Sequence, residues 1–77
     1  MNHKYNIGDL VKINAYVSER RNDKYVPVLL QNKVAVILQP KQLAFNLEDY
    51  NVYDIIVCGQ ENKVYQIEER DIVERIE

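Results

Sequence analysis

Residues 52–68 read VYDIIVCGQENKVYQIE. Two runs rich in Val, Ile and Tyr flank the short polar stretch Gly59, Gln60, Glu61 and Asn62, the pattern of two antiparallel strands joined by a hairpin. In the first run Tyr53, Ile55 and Val57 share one parity, and therefore one face of a strand. β-Branched side chains suit a pleated, half-buried surface, and the chain carries ten Val and eight Ile in short runs separated by polar turns. The class implied is all-β.

The segments upstream fit the same reading. In Ile7 to Val17 (IGDLVKINAYV), Val11, Ile13, Ala15 and Val17 alternate with Lys12, Asn14 and Tyr16, as in a half-buried strand. Gly8 lies in the turn before it, free to take a positive φ. Ser18 to Lys24 (SERRNDK) is entirely polar and reads as a loop. Tyr25 to Leu30 (YVPVLL) is extended, but Pro27 lacks an amide donor and demotes it to a sheet edge or the arm of a long loop.

Lys33 to Gln39 (KVAVILQ) is apolar at both parities, as in a central strand covered on two sides, and Pro40 is expected to end it. Residues 41–51 (KQLAFNLEDYN) admit two readings. Leu43, Leu47 and Tyr50 would stripe a short helix opened by Pro40. An extended connection with a helical turn within 41–50 fits equally well. At the end of the chain, Glu69-Arg70-Asp71 reads as one turn of 3₁₀ helix before a last short strand, Ile72 to Ile76.

Seventy-seven residues suffice for one domain, spanning 1–77, and leave no room for a second lobe or a deep cleft walled by its own core. Twelve acidic against ten basic residues give a net charge of -2, which supplies no global field for a polyanion. The longest aliphatic run, Val34 to Leu38, is too short to span a bilayer, and the N-terminus lacks the apolar stretch of a secretory signal. With Cys58 as the single cysteine there is no intramolecular disulfide and no thiolate cluster for zinc, which suits a reducing, cytoplasmic setting.

Catalysis is the weakest reading. Ser18 is the only serine, threonine is absent, and the remaining candidates for a nucleophile and base are Cys58 and His3. His3 belongs to a terminal segment expected to fray, and Cys58 reads as a small buried or half-buried apolar residue. The carboxylates Glu68, Glu69 and Asp71 read as a solvated face. Gly8 and Gly59 are isolated, so no glycine-rich loop exists to cradle a phosphate. The expectation is no enzyme, no cofactor and no metal site.

The IGDLVKI opening, the KVAVIL strand, the YDIIV and KVYQI hairpin and the EERDIVERI ending follow one another in an order that resembles the small five-stranded SH3-like barrel proteins common in tailed bacteriophages and bacteria. The strand order is also similar to the KOW-type barrel. The resemblance implies a small all-β barrel. It also implies a phage accessory protein that binds a host or virion protein in the host cytoplasm, as an inhibitor of a host system or a small structural component.

Tyrosines and arginines remain to be explained. Arg20, Arg21 and Lys24 cluster between Tyr16 and Tyr25, and six tyrosines exceed what so small a core can bury with their hydroxyls satisfied. Tyr53 and Tyr65 lie mid-strand and read as structural. Tyr16, Tyr25 and Tyr50 border the two long connections, and with Arg20, Arg21 and Lys24 they are the expected contact residues for a partner protein. The rival reading uses the same basic stretch, 18–25, to bind nucleic acid. In the bland reading the two arginines pair with Glu19 and Asp23. Self-association through the 25–30 edge is a third possibility.

Overall fold

The computed structural model describes residues 3–45, 48–60 and 63–77. They form one antiparallel sheet of five strands, β1 (Leu10–Arg21), β2 (Lys24–Phe45), β3 (Glu48–Val57), β4 (Val64–Glu68) and β5 (Ile72–Arg75), with a 3₁₀ turn over Glu69–Asp71. Spatial order is β4-β3-β2-β1-β5. Among the described residues β4 and β5 stand at the two ends of the ladder, so the sheet is curled but not closed by backbone pairing into a barrel. No helix is long and apolar enough to cross a membrane among the described residues.

One buried layer holds the sheet together. Val11, Ile13, Ala15 and Val17 supply the β1 side of the core, as their alternation predicts. Tyr53, Ile55 and Val57 from β3, Ile37 and Ala35 from β2, and Tyr65 and Ile67 from β4 complete it with Tyr5 and Ile72. Val34 and Val36 are only half-buried, so β2 is central in the sheet without being enclosed on both faces.

Strand β2 is the organising element. The segments 25–30 and 33–39, read separately from sequence, belong to one strand of 22 residues. Its first part pairs with β1, from Lys24 opposite Arg21 to Val36 opposite Leu10. Its second part pairs with β3, from Ala35 opposite Val57 to Phe45 opposite Glu48. Only Ala35 and Val36 have a ladder on both sides. Pro27 and Pro40 each fall where β2 has one neighbour, which is where a residue without an amide donor fits in a sheet.

Pro40 does not end its strand, because β1 has already run out on that side. Residues 41–45 and 48–50 are extended, not helical, while 46 and 47 lie outside the described residues. The 18–24 segment is not a loop: β1 continues to Arg21, and only Asn22 and Asp23 turn. Both take positive φ, 49° and 62°, as the two central residues of a tight hairpin must for its twist to match the strands. Cys58 is exposed rather than buried, because β3 ends at Val57 and the chain turns there. The 3₁₀ turn and the last strand form where expected.

Register breaks bend the sheet. Between Ile13 and Asn14 the partner jumps from Lys33 to Gln31, leaving Asn32 as an extra residue with φ 53°. The Asn14 side-chain oxygen accepts the Asn32 amide at 2.6 Å, which satisfies the donor that the bulge removes from the ladder. A second extra residue, Leu38, lies between the Ile37 and Gln39 pairings with β3.

A candidate protein-contact surface

The register break marks the base of a projecting ribbon. Asn14–Arg21 of β1 and Lys24–Gln31 of β2 pair with each other and, among the described residues, with no other strand. Directly opposed residues of an antiparallel pair share a face. The inner face of the ribbon carries Ala15, Val17 and Leu30, all buried, with Val28 packed against the core. An isolated two-stranded ribbon is marginal in water, so this packing is what holds it in place.

The outer face carries Asn14, Tyr16, Ser18 and Arg20 from β1 opposite Gln31, Leu29, Pro27 and Tyr25 from β2. All eight are exposed, with Tyr16 at 74%, Tyr25 at 73% and Leu29 at 44%. Two aromatic rings, a leucine and a proline thus share one solvent-facing surface that holds no carboxylate. Scattered apolar side chains on a surface are ordinary, but a contiguous group of them on one face marks an interaction site.

At the ribbon tip the arginines are paired. Arg20 donates to Asp23 at 3.0 Å, and Arg21 lies 3.6 Å from Glu19. Glu19 is the centre of a wider cluster: the Lys63 ammonium donates to it at 3.1 Å, and the Tyr65 hydroxyl lies 3.4 Å away. The Lys63 hydrogen bond holds the Glu19 carboxyl below its usual range, against burial, which pushes it up. This carboxylate ties the ribbon to the β3–β4 hairpin and brings a fourth cation to Arg20, Arg21 and Lys24. Sequence reading missed Lys63, because 44 positions separate it from Glu19. Beside the cluster is an open concavity of about 360 Å³ lined by Ser18, Arg20, Tyr25 and Val64, among others.

Tyr50 is placed elsewhere. It lines a second concavity, of about 510 Å³, with Lys4, Tyr5, Glu69 and Ile72, and no ribbon residue contributes to that wall. Next to it the N-terminal segment is strapped to the sheet. Tyr53, fully buried, donates its hydroxyl hydrogen to Glu69 and accepts the Tyr5 amide at 3.2 Å, while the Lys4 amide donates to the same Glu69 oxygen at 3.1 Å. His3, expected in a fraying terminus, sits edge-on to the Tyr53 ring with its Nε2 2.7 Å from the Lys41 carbonyl oxygen.

Burial, and then the hydrogen bond with the Glu69 carboxylate, push Tyr53 up to about 12. Burial also pushes Glu69 up, but the hydrogen bonds from the Tyr53 hydroxyl and the Lys4 amide outweigh it and hold that carboxyl below its usual range. Glu69 was expected on a solvated face; it is instead a half-buried structural acceptor.

The groups that could carry nucleophilic chemistry are dispersed. Ser18 lies on the outer ribbon face, Cys58 in the turn after β3 and His3 beside Lys41. Among the described residues no three His, Cys, Asp or Glu side chains are grouped to hold a metal ion. Neither a family model, nor a curated protein, nor a solved structure matches this chain.

Proposed function

We propose that the protein is a non-catalytic protein-binding module whose contact surface is the outer face of the β1–β2 ribbon. The observation that carries this reading is the co-facial exposure of Tyr16, Tyr25 and Leu29 beside Pro27 and Arg20. Tyrosine and arginine at the centre of a surface are the residue types that dominate binding energy, because each combines a large contact area with a directed polar tip. The ribbon is supported only at its inner face, so the outer one is available to a partner. Tyr50 belongs to a different wall and is not part of this surface.

The same reading takes the strand order, the long β2 shared by two ladders and the 3₁₀ turn before the last strand as support for an SH3-like arrangement. With the resemblance to small phage proteins, this gives the proposed setting: an accessory protein acting on a host or virion protein in the host cytoplasm. Strand order by itself carries no function, so the site is what bears the argument. The dispersal of Ser18, Cys58 and His3 supports the absence of catalysis.

Nucleic-acid binding by the 18–25 segment is the rival. Arg20 and Arg21 are each paired with one carboxylate of the same ribbon, and the net charge of -2 supplies no wider field to hold a polyanion. The two readings separate by salt and by variant. A contact made by Tyr16 and Tyr25 keeps its affinity between low and moderate salt and is lost in the double variant Tyr16→Ala/Tyr25→Ala. A phosphate contact falls steeply with salt and is lost in Arg20→Ala/Arg21→Ala. The second pattern, with no protein retained, sinks the proposal.

A further inference from the structure

We infer that the partner is held partly by strand addition: an extended, acidic segment of it pairs with the open edge of β4 and ends in the concavity beside Lys63. This rests on the protein-binding reading and specifies the chemistry of the partner. Among the described residues β4 makes backbone ladder bonds to β3 alone. An open edge presents unpaired amides and carbonyls, and proteins ordinarily blunt it with proline, charge or a bulge.

Several other open edges among the described residues carry such devices. The ribbon part of β2 has Lys24 and Pro27, and its far part has Pro40 and Lys41. The free side of β1 ends in Arg20 and Arg21. β5 is short, carries Glu74 and Arg75, and is broken in register beside Val73. From Val64 to Ile67, β4 has no proline, no charge and an unbroken register with β3. Among the described residues the free side of β1 from Asn14 to Ser18 is also uncharged and proline-free, and β4 has charges at its ends, Lys63 and Glu68. β4 differs in that Val64 and Tyr65 line the concavity beside Lys63, so a strand added there, as extended peptides join sheets, runs into it.

Charge sets what that strand carries. At the Val64 end, Arg20, Arg21 and Lys63 stand against Glu19 and Asp23 among the described residues. Glu19 is largely covered, with 14% of its side chain exposed, whereas Arg20, Arg21 and Lys63 are 67%, 62% and 52% exposed against the one exposed carboxylate, Asp23, at 91%. The surface presented to a partner is therefore cationic. Tyr25 and Val64, 73% and 60% exposed, flank the concavity and offer an apolar seat. An acidic segment with an apolar residue next to its carboxylates matches both features.

The test uses the whole isotope-labelled protein with three probes: a short synthetic peptide alternating glutamate with valine, its lysine-valine counterpart, and a short oligothymidylate. The acidic peptide is expected to shift the amides of Val64 to Ile67, to slow their exchange with solvent, and to bind about tenfold tighter than the basic one. Arg20→Gln/Lys63→Gln should erase that preference while leaving the fold intact by its spectrum. Unperturbed β4 amides, equal affinity for the two peptides, or tighter binding of the oligothymidylate would each overturn strand addition. Shifts confined to Tyr16 and Leu29 would overturn it too while leaving the ribbon face as the contact surface.

Discussion

The Tyr53 hydroxyl lies 2.5 Å from Oε2 of Glu69, donating to it, and the same hydroxyl accepts the Tyr5 amide. One buried phenol thus joins β3, the 3₁₀ turn and the N-terminal segment. Tyr53→Phe keeps the ring but leaves the Tyr5 amide and the Glu69 carboxylate short of a partner. The expected cost is about 1–3 kcal/mol, read as a lower urea midpoint with an unchanged slope. A variant as stable as the parent would show that the hydroxyl is not a structural tie.

The same pair sets a pH dependence at both extremes. Tyr53 is raised from 10.0 to about 12, so its contribution is complete below pH 10 and is lost as pH rises from there through the folded value. Glu69 and Glu19 are lowered from 4.5, so their contributions are complete above that pH and are lost as pH falls through their folded values. Tyrosinate absorbance should therefore show one phenol titrating late and together with unfolding. Its shift to an ordinary titration in the folded protein would contradict the placement of Tyr53.

Ile55 and Leu29 are both apolar strand residues, and the sheet uses them oppositely. Ile55 is fully buried and Leu29 is 44% exposed on the outer ribbon face. Ile55→Ala should cost about 2–5 kcal/mol, enough to unfold much of so small a domain. Leu29→Ala and Tyr16→Ala should stay within about 0.5 kcal/mol in thermal melts. Large losses at the exposed positions would mean that the outer face is packed, not free.

Glu19 governs how firmly the ribbon is tied down. Glu19→Gln keeps the shape but removes the charge that gathers Lys63 and Arg21. The amides of Val17 and Val28 should then exchange faster with solvent, while those of Ile55 and Val57 in the central sheet stay protected. Moderate salt should move the parent protein in the same direction. Uniform loosening of the whole sheet would place Glu19 in the global fold instead.

Legibility from sequence followed burial. The alternation of Val11, Ile13, Ala15 and Val17 named the core face of β1, because those side chains are the ones the fold excludes from water. SERRNDK misled for the converse reason: a ribbon running beyond the core needs no apolar residues, so its strands look like loop, and the turn is betrayed only by Asn22 and Asp23. Pro40 looked like a terminator because one-sided pairing cannot be read from a single strand. Tyr16, Arg20 and Tyr25, the proposed contact residues, stand out in the sequence as surplus aromatics and cations, and the fold gathers them on one face. Tyr50 joins the same group in the sequence because it borders the second long connection, which the fold places on a different wall, and the Lys63–Glu19 tie and the Tyr53–Glu69 bond, both joining segments far apart in the chain, left no local signal.

Whether the outer ribbon face meets a partner protein is tested most directly by site-specific photocrosslinking. A benzophenone side chain placed at Tyr16 or Leu29 is compared with one at Val73, which is 54% exposed on β5, in lysate of the cells where the protein acts. One discrete crosslinked protein is expected from Tyr16 and Leu29 and none from Val73. Crosslinking from Val73 with none from the ribbon, or nucleic acid alone captured at Tyr16, would contradict that contact.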